Sequence, residues 1–243
     1  MRLCIFCGQR AETLEDAWPR WLFRLLGPPI RAEVWFGPDG ERKEWSGAPI
    51  RVRCVCAACN NGWMSQLEGR IRPLIGSMMH DLSIRLDRTE QHLIAAWCMK
   101  TAMVFEWTNP GTPRFYSKTE REHLRLDLSI PDDTLLWLGR QYRSNFTYCH
   151  GRRLFGPIPK DEPVLGEGYV TTFAASRLVL QVITVRRYPE HQRRLVTLRA
   201  KPGPWDRGLL RVWPASPSIR WPSAWSFGEP DLEPFSERFR NPA

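Results

Sequence analysis

Two Cys-x-x-Cys pairs constrain this chain more than any other feature: Cys4 with Cys7 near its start, and Cys56 with Cys59 after a long insertion. A two-residue gap lets both sulfurs of a turn face one ion, and two such turns supply the four thiolates of a tetrahedral zinc site. The insertion must then fold back so that the second pair meets the first. The alternative is four unrelated buried thiols. Seven cysteines is an odd number, and the pairs are too closely spaced for the wide loops of secreted disulfide scaffolds. The expectation is therefore a structural Zn2+ in a reducing, cytoplasmic setting. The opening MRLCIFCGQR lacks the zones of a signal peptide, and no run approaches the roughly 18 apolar residues of a membrane span. If IRVRCVC is a strand, Cys54 shares a face with Cys56 and competes as a ligand, although only Cys56 and Cys59 have the usual spacing. Cys98 and Cys149 read as small buried hydrophobes.

The 243 residues, 42% hydrophobic and 12% aromatic, suffice for two unequal domains. The expected class is α+β, with a zinc domain over residues 1–79 and a mixed α+β domain of unassigned role over residues 87–243. In the first, TLEDAWPRWLFRLL predicts a helix, AEVWFGPDGERKEW a hairpin turning at Asp-Gly, and IRVRCVC a strand. SQLEGRIRPLIGSMM predicts a helix with Leu67, Ile71, Leu74 and Ile75 on its apolar face. Knuckle, hairpin, knuckle and helix in that order read as a treble clef.

In the second region RTEQHLIAAWCMKTAMVFEW predicts a long helix capped by Thr89, burying Leu93, Trp97, Met103 and Phe105, and ended by the Asn-Pro-Gly cluster at Asn109. A short helix at KTEREHLRL follows. Strands are expected at DTLLWLG, SNFTYCH, GYVTTFAAS, LVLQVITVRR and RRLVTLRA. Trp205, Trp213, Trp221 and Trp225 in the tail read as core or groove lining, with a stacking platform for bases as the alternative.

Three stretches together, CIFCG, LEDAWPRWL and VCAACNNGWMSQLE, resemble the HNH endonuclease superfamily, in its bacterial and phage branch reading CxxCG, EHxxPxWL and VCxxCNNGWMSxLE. The resemblance covers roughly the first third of the chain. It implies an HNH-like ββα treble clef in which Cys4, Cys7, Cys56 and Cys59 hold the structural zinc. Glu15 and Asn60 then fall on the positions that hold a catalytic Mg2+ or Mn2+, and Pro19, Trp21 and Leu22 match the frame of the motif. Asp16 stands where the family has the histidine that deprotonates the attacking water. An ordinary aspartate is a weak proton acceptor at neutral pH, although burial or a metal-bound water lessens that handicap. No histidine precedes His80, and no asparagine lies between Cys7 and Cys59 to fill the middle position of the motif. A histidine brought in from later in the chain, His80 or His150, would restore the base.

Each of these residues has a second reading. Two acids in the first turn of a helix stabilise its dipole, and Asn60, Asn61 and Gly62 suit a left-handed turn after a knuckle.

A net charge of +9 and a pI near 9.5 favour an anionic partner, nucleic acid before others and DNA before RNA, with no membrane partner. Arg20 and Arg24, Arg51 and Arg53, and Arg70 and Arg72 are candidate phosphate contacts, with Asn61 and Trp63 beside them; the alternative is a solvated basic face. RRY at 186–188 and HQRR at 191–194 form the densest basic cluster. The five histidines are scattered without a pair at metal spacing, and neither a phosphate-binding glycine loop nor a GxSxG elbow is present. The class expected is a zinc-binding nucleic-acid protein: a divalent-metal-dependent endonuclease if the site is active, or, on an inactive site, a treble-clef module for nucleic-acid or protein binding.

Overall fold

The structure is a computed structural model and describes residues 2–26, 31–36, 41–46, 50–108, 113–142, 146–155, 166–187 and 200–239. It is mixed α+β. After the first knuckle come β1 (Thr13–Asp16), α1 (Arg20–Leu26), β2 (Arg31–Phe36), β3 (Glu41–Ser46) and β4 (Arg51–Val55). The second knuckle opens α2 (Ala57–Cys59), and a wider turn over Asn60–Met64 leads into α3 (Ser65–Met79). The chain continues through β5 (Ile84–Leu86), α4 (Arg88–Phe105), α5 (Lys118–Asp127), β6 (Thr134–Gln141), β7 (Phe146–Phe155), β8 (Gly166–Ala175) and β9 (Leu178–Arg187). It ends with β10 (Leu210–Trp213), β11 (Ile219–Trp221), β12 (Ser226–Phe227) and α6 (Glu229–Ser236).

The helix expected from Thr13 is a correction. Residues 13–16 form β1, antiparallel to β4 with Glu15 opposite Val52 and Asp16 opposite Arg51, and the helix starts only at Arg20. Pro19 explains the break, because it disfavours a helical residue before it and suits the first turn of a helix itself. Glu15 and Asp16 are therefore strand residues, and the helix-dipole reading of them falls away.

One sheet dominates, in the order β10-β6-β9-β8-β7-β2-β3, with β12 added beside β6. Its pairs are antiparallel except β2 with β7 and β12 with β6. The expected hairpin is present as β2 paired with β3, Phe36 opposite Glu41, while its Asp-Gly turn lies outside the described residues. That hairpin extends the sheet of the later strands instead of standing apart beside the knuckles. The expected strand RRLVTLRA, the basic run at 191–194 and the Asn-Pro-Gly cluster lie outside the described residues.

Beneath the sheet runs α4, buried along nearly its whole length from Gln91 to Phe105 and packed on α3, α5, β9 and β10. A helix apolar on every side belongs in a core. Asp87 caps it in place of the expected Thr89: its carboxylate accepts from the Glu90 amide at 2.8 Å, and Glu90 returns a bond to the Asp87 amide at 2.9 Å. Asp87 wins because the chain is still extended there.

The principal apolar cluster reaches from Cys4 and Phe6 through Trp21, Ile71 and Trp97 to Phe173 and Trp221, so both stretches, 1–79 and 87–243, contribute to it. Trp18, next to Pro19, meets Phe173 of β8 edge-on at 5.3 Å. All of β8 is buried because it has packing on both faces: Tyr169 and Phe173 join the cluster around α4, while Val170 and Ala174 face smaller clusters built around Phe235 and Phe239. Trp205 and Trp221 are buried, and Trp213 and Trp225 pack partly exposed against the clusters, in keeping with a core-lining tail. Cys98 and Cys149 are buried thiols far from ligand duty. Among the described residues no helix is long and apolar enough to cross a membrane.

Candidate metal centre and the adjoining cleft

The first knuckle closes on itself through the Cys4 amide to the Gln9 carbonyl at 2.6 Å and the Gly8 amide to the Cys4 carbonyl at 2.9 Å. Gly8 holds a φ of +76°, which a side chain would resist. The Ile5 amide donates to the Cys54 carbonyl at 2.9 Å, docking this knuckle on the end of β4. In the second knuckle Cys56 caps α2, its sulfur accepting from the Cys59 amide at 3.4 Å. The four sulfurs of Cys4, Cys7, Cys56 and Cys59 lie within 4.8 Å of one another, with Cys7 and Cys56 at 3.5 Å. Ligands about 2.3 Å from a tetrahedral ion stand roughly 3.8 Å apart, so the set fits a metal ion and is compatible with structural zinc.

The thiols of the set are shifted in opposite directions. Burial pushes the Cys7 and Cys59 thiols above their ordinary value. Burial also opposes ionisation of Cys56, but the Cys59 amide and the neighbouring thiols outweigh it and draw that group down. Cys54 stays out of the cluster. It is fully buried, and burial, with Glu15 adding to it, holds its thiol well above the usual range. The strand alternation that would have put it beside Cys56 ends where Cys56 turns the chain into α2.

Beside the knuckles opens a cleft of about 290 Å³, walled by β1, α1 and α3. Its lining includes Glu15, Asp16, Arg20, Arg24, Asn60, Asn61 and Arg72, all candidates named from the sequence, and adds Trp21 and Glu68. Arg51 reaches it through Asp16, whereas Arg53, exposed on β4, and Arg70, exposed on α3, are not part of the lining. Trp63 rests edge-on against Phe6 at 4.9 Å, on the knuckle side, and does not line the cleft. Gly62 has φ −91° and ψ −113°, a kink within a right-handed path, so the left-handed turn expected after the knuckle is not formed.

Asp16 uses both oxygens: one accepts from Arg20 Nε and the other from Arg51 Nε, each at 2.9 Å. Asn60 donates from its amide to Thr13 Oγ1 at 3.3 Å, and Thr13 in turn donates to the Val55 carbonyl at 2.9 Å, so strand pairing fixes the asparagine. None of the described histidines lines the cleft: His80 sits exposed at the end of α3, and His150 is buried on β7 against Tyr148.

Two residues at this site were not anticipated. Lys100, fully buried in α4, donates to Glu68 Oε1 at 2.8 Å and to Glu15 Oε1 at 3.3 Å. Trp21 Nε1 donates to the other oxygen of Glu68 at 3.2 Å. Burial alone would lower the Lys100 pKa, but the two carboxylates outweigh it and keep the ammonium charged. For Glu15 the balance is reversed: burial raises its pKa, and Lys100, shared with Glu68 and closer to it, compensates only in part. Both residues left a trace in the sequence. Glu68 closes the stretch VCAACNNGWMSQLE, and Lys100 is a single charge inside the apolar run LIAAWCMKTAMVF. No family model, no curated protein and no solved structure matches the chain.

Proposed function

We propose that the four cysteines hold a structural zinc ion within an HNH-like treble clef, and that the cleft beside it binds the phosphate backbone of nucleic acid without cleaving it. Zinc would tie the two knuckles together and so set the walls of the cleft. The observation that carries the binding reading is the use made of Asp16. At the position where the resembled motif has its base, the carboxylate orients Arg20 and Arg51 at the cleft mouth, with both its oxygens engaged by guanidinium groups. Arg24 and Arg72 line the same opening, and the chain carries a net charge of +9. Arginine forks in a groove beside asparagine amides suit phosphate oxygens.

The test is fluorescence anisotropy of duplex and single-stranded DNA and of RNA across a salt series. Binding should weaken steeply with salt, and Arg24→Ala or Arg20→Ala should each reduce the slope by about one counterion. A salt-independent affinity, or no affinity at all, would remove the reading. Hydrolysis is the second reading, favoured by Glu15 and Asn60 lining one cleft. It requires divalent-dependent nicking of plasmid DNA that disappears in Glu15→Ala while zinc content is unchanged.

A further inference from the structure

Lys100 is a costly residue for α4. Its neighbours in the helix, Trp97, Met99 and Met103, are wholly buried hydrophobes, and its own side chain has no exposure to solvent. A buried ammonium is tolerated only when paired, so the charge at this position is explained by what it faces. It faces two carboxylates from two other elements, Glu15 on β1 and Glu68 on α3, both in the wall of a cleft that opens to solvent. Two carboxylates sharing one such place cannot both stay ionised without a cation between them. Together with the side-chain oxygen of a nearby asparagine, they are the hard oxygen donors that Mg2+ and Mn2+ take.

We propose that the Lys100 ammonium is the resident cation of this site, filling the place between Glu15 and Glu68 that a divalent ion would otherwise take. The cleft then engages phosphate with a fixed charge supplied by α4, independently of Mg2+ or Mn2+. Removing the ammonium turns the two carboxylates into a divalent-ion site. Glu68 is a member of that site on the same footing as Glu15, and Trp21 orients it through its second oxygen. The consequence for phosphate rests on the nucleic-acid reading; the identity of the resident cation does not.

The experiment is a Mn2+ titration of the full, zinc-loaded chain followed by electron paramagnetic resonance of free Mn2+, run beside DNA anisotropy with and without Mg2+ at matched ionic strength. Wild type should bind no Mn2+ at this cleft tighter than about 1 mM, and Lys100→Met should take up one ion at least about tenfold more tightly, losing it again when Glu15→Gln or Glu68→Gln is added. Wild-type Mn2+ binding in the micromolar range that vanishes in Glu15→Gln would overturn the proposal, as would a folded Lys100→Met with no gain. If Lys100→Met fails to fold, as judged by zinc content and circular dichroism, the comparison of wild type with Glu15→Gln still decides. DNA binding that is absent in every variant would sink the nucleic-acid reading and leave the Mn2+ result to stand by itself.

Discussion

The cysteine knuckles and the carboxylate pair beside them are both clusters of groups that repel one another when ionised, and they answer that repulsion differently. The four thiols converge from two turns within the first region, with no cation of the protein's own placed against them among the described residues, so the set could be completed by an ion from outside. Glu15 and Glu68 also converge on one point, but the cation there, Lys100, comes from the chain itself. A ligand set that lacks its charge is free to take up a metal, and one that already contains it has less need of one. Polar residues meeting in space are thus insufficient to mark a metal site; the charge already supplied by the rest of the fold must be counted.

The largest effect that would break this comparison falls on the knuckles. Cys59→Ser should abolish stoichiometric zinc and, with it, the folding of the first region, because the apparent free energy of structural zinc is about 10 kcal/mol or more. Cys54→Ser should keep one zinc per chain, since its sulfur lies outside the cluster. Metal analysis with circular dichroism reads both, and loss of zinc in Cys54→Ser would mean that the ligand set is wrong.

Next in size is Lys100→Met, which leaves the buried Glu15 and the half-buried Glu68 without their cation and should cost about 3–5 kcal/mol in denaturant unfolding at neutral pH. The loss should shrink on acidification. With the ammonium gone, Glu15 has a folded-state pKa raised still further above its unfolded value, so its contribution is intact below the unfolded pKa and is lost as pH rises through the folded one. Equal destabilisation at pH 5 and pH 8 would show that packing, and not charge, is what Lys100 provides.

The smallest effect is at Glu106, a carboxylate at the end of α4 whose pKa is raised to about 7 by burial, against the opposing influence of the Phe115 amide, Arg121 and Arg114. Arg121 also donates to the Ile5 carbonyl at 2.9 Å, which ties this corner to the first knuckle. Because the folded pKa lies above the unfolded one, the stability Glu106 contributes below about pH 4.5 falls away as pH climbs through about 7. Glu106→Gln should therefore gain on wild type by about 1–3 kcal/mol between pH 5 and pH 8, read from chemical denaturation at both values. A pH-independent difference would mean that the two arginines compensate the carboxylate fully.

What could be read from the sequence follows the range of the interactions involved. Cys-x-x-Cys spacing is local chemistry, and it identified the four sulfurs that meet. Helical periodicity likewise identified α3, α4 and α5, and apolar β-rich runs identified β6 to β9, because burial of one or both faces is written in the order of residues. Local signals failed where a neighbour in space overruled them. The apolar spacing of LEDAWPRWL suggests a helix throughout, yet pairing with β4 holds residues 13–16 as a strand, and Pro19 postpones α1. Thr89 and Asp87 are both competent caps for α4, and only the backbone path, extended at Asp87, chooses between them.

By itself, then, the order of amino acids determined the thiol cluster, the α+β class and most of the charged residues that line the cleft, since each depends on composition and short-range geometry. Only the tertiary structure decided that β2 and β3 extend the sheet of the later strands, that Asp16 is bound to two arginines, and that Lys100 stands between Glu15 and Glu68. The reason is physical: Lys100 and Glu15 are 85 residues apart, and their meeting depends on the packing of α4 against α3 and the knuckle strands, a long-range arrangement that leaves no periodic mark in the chain.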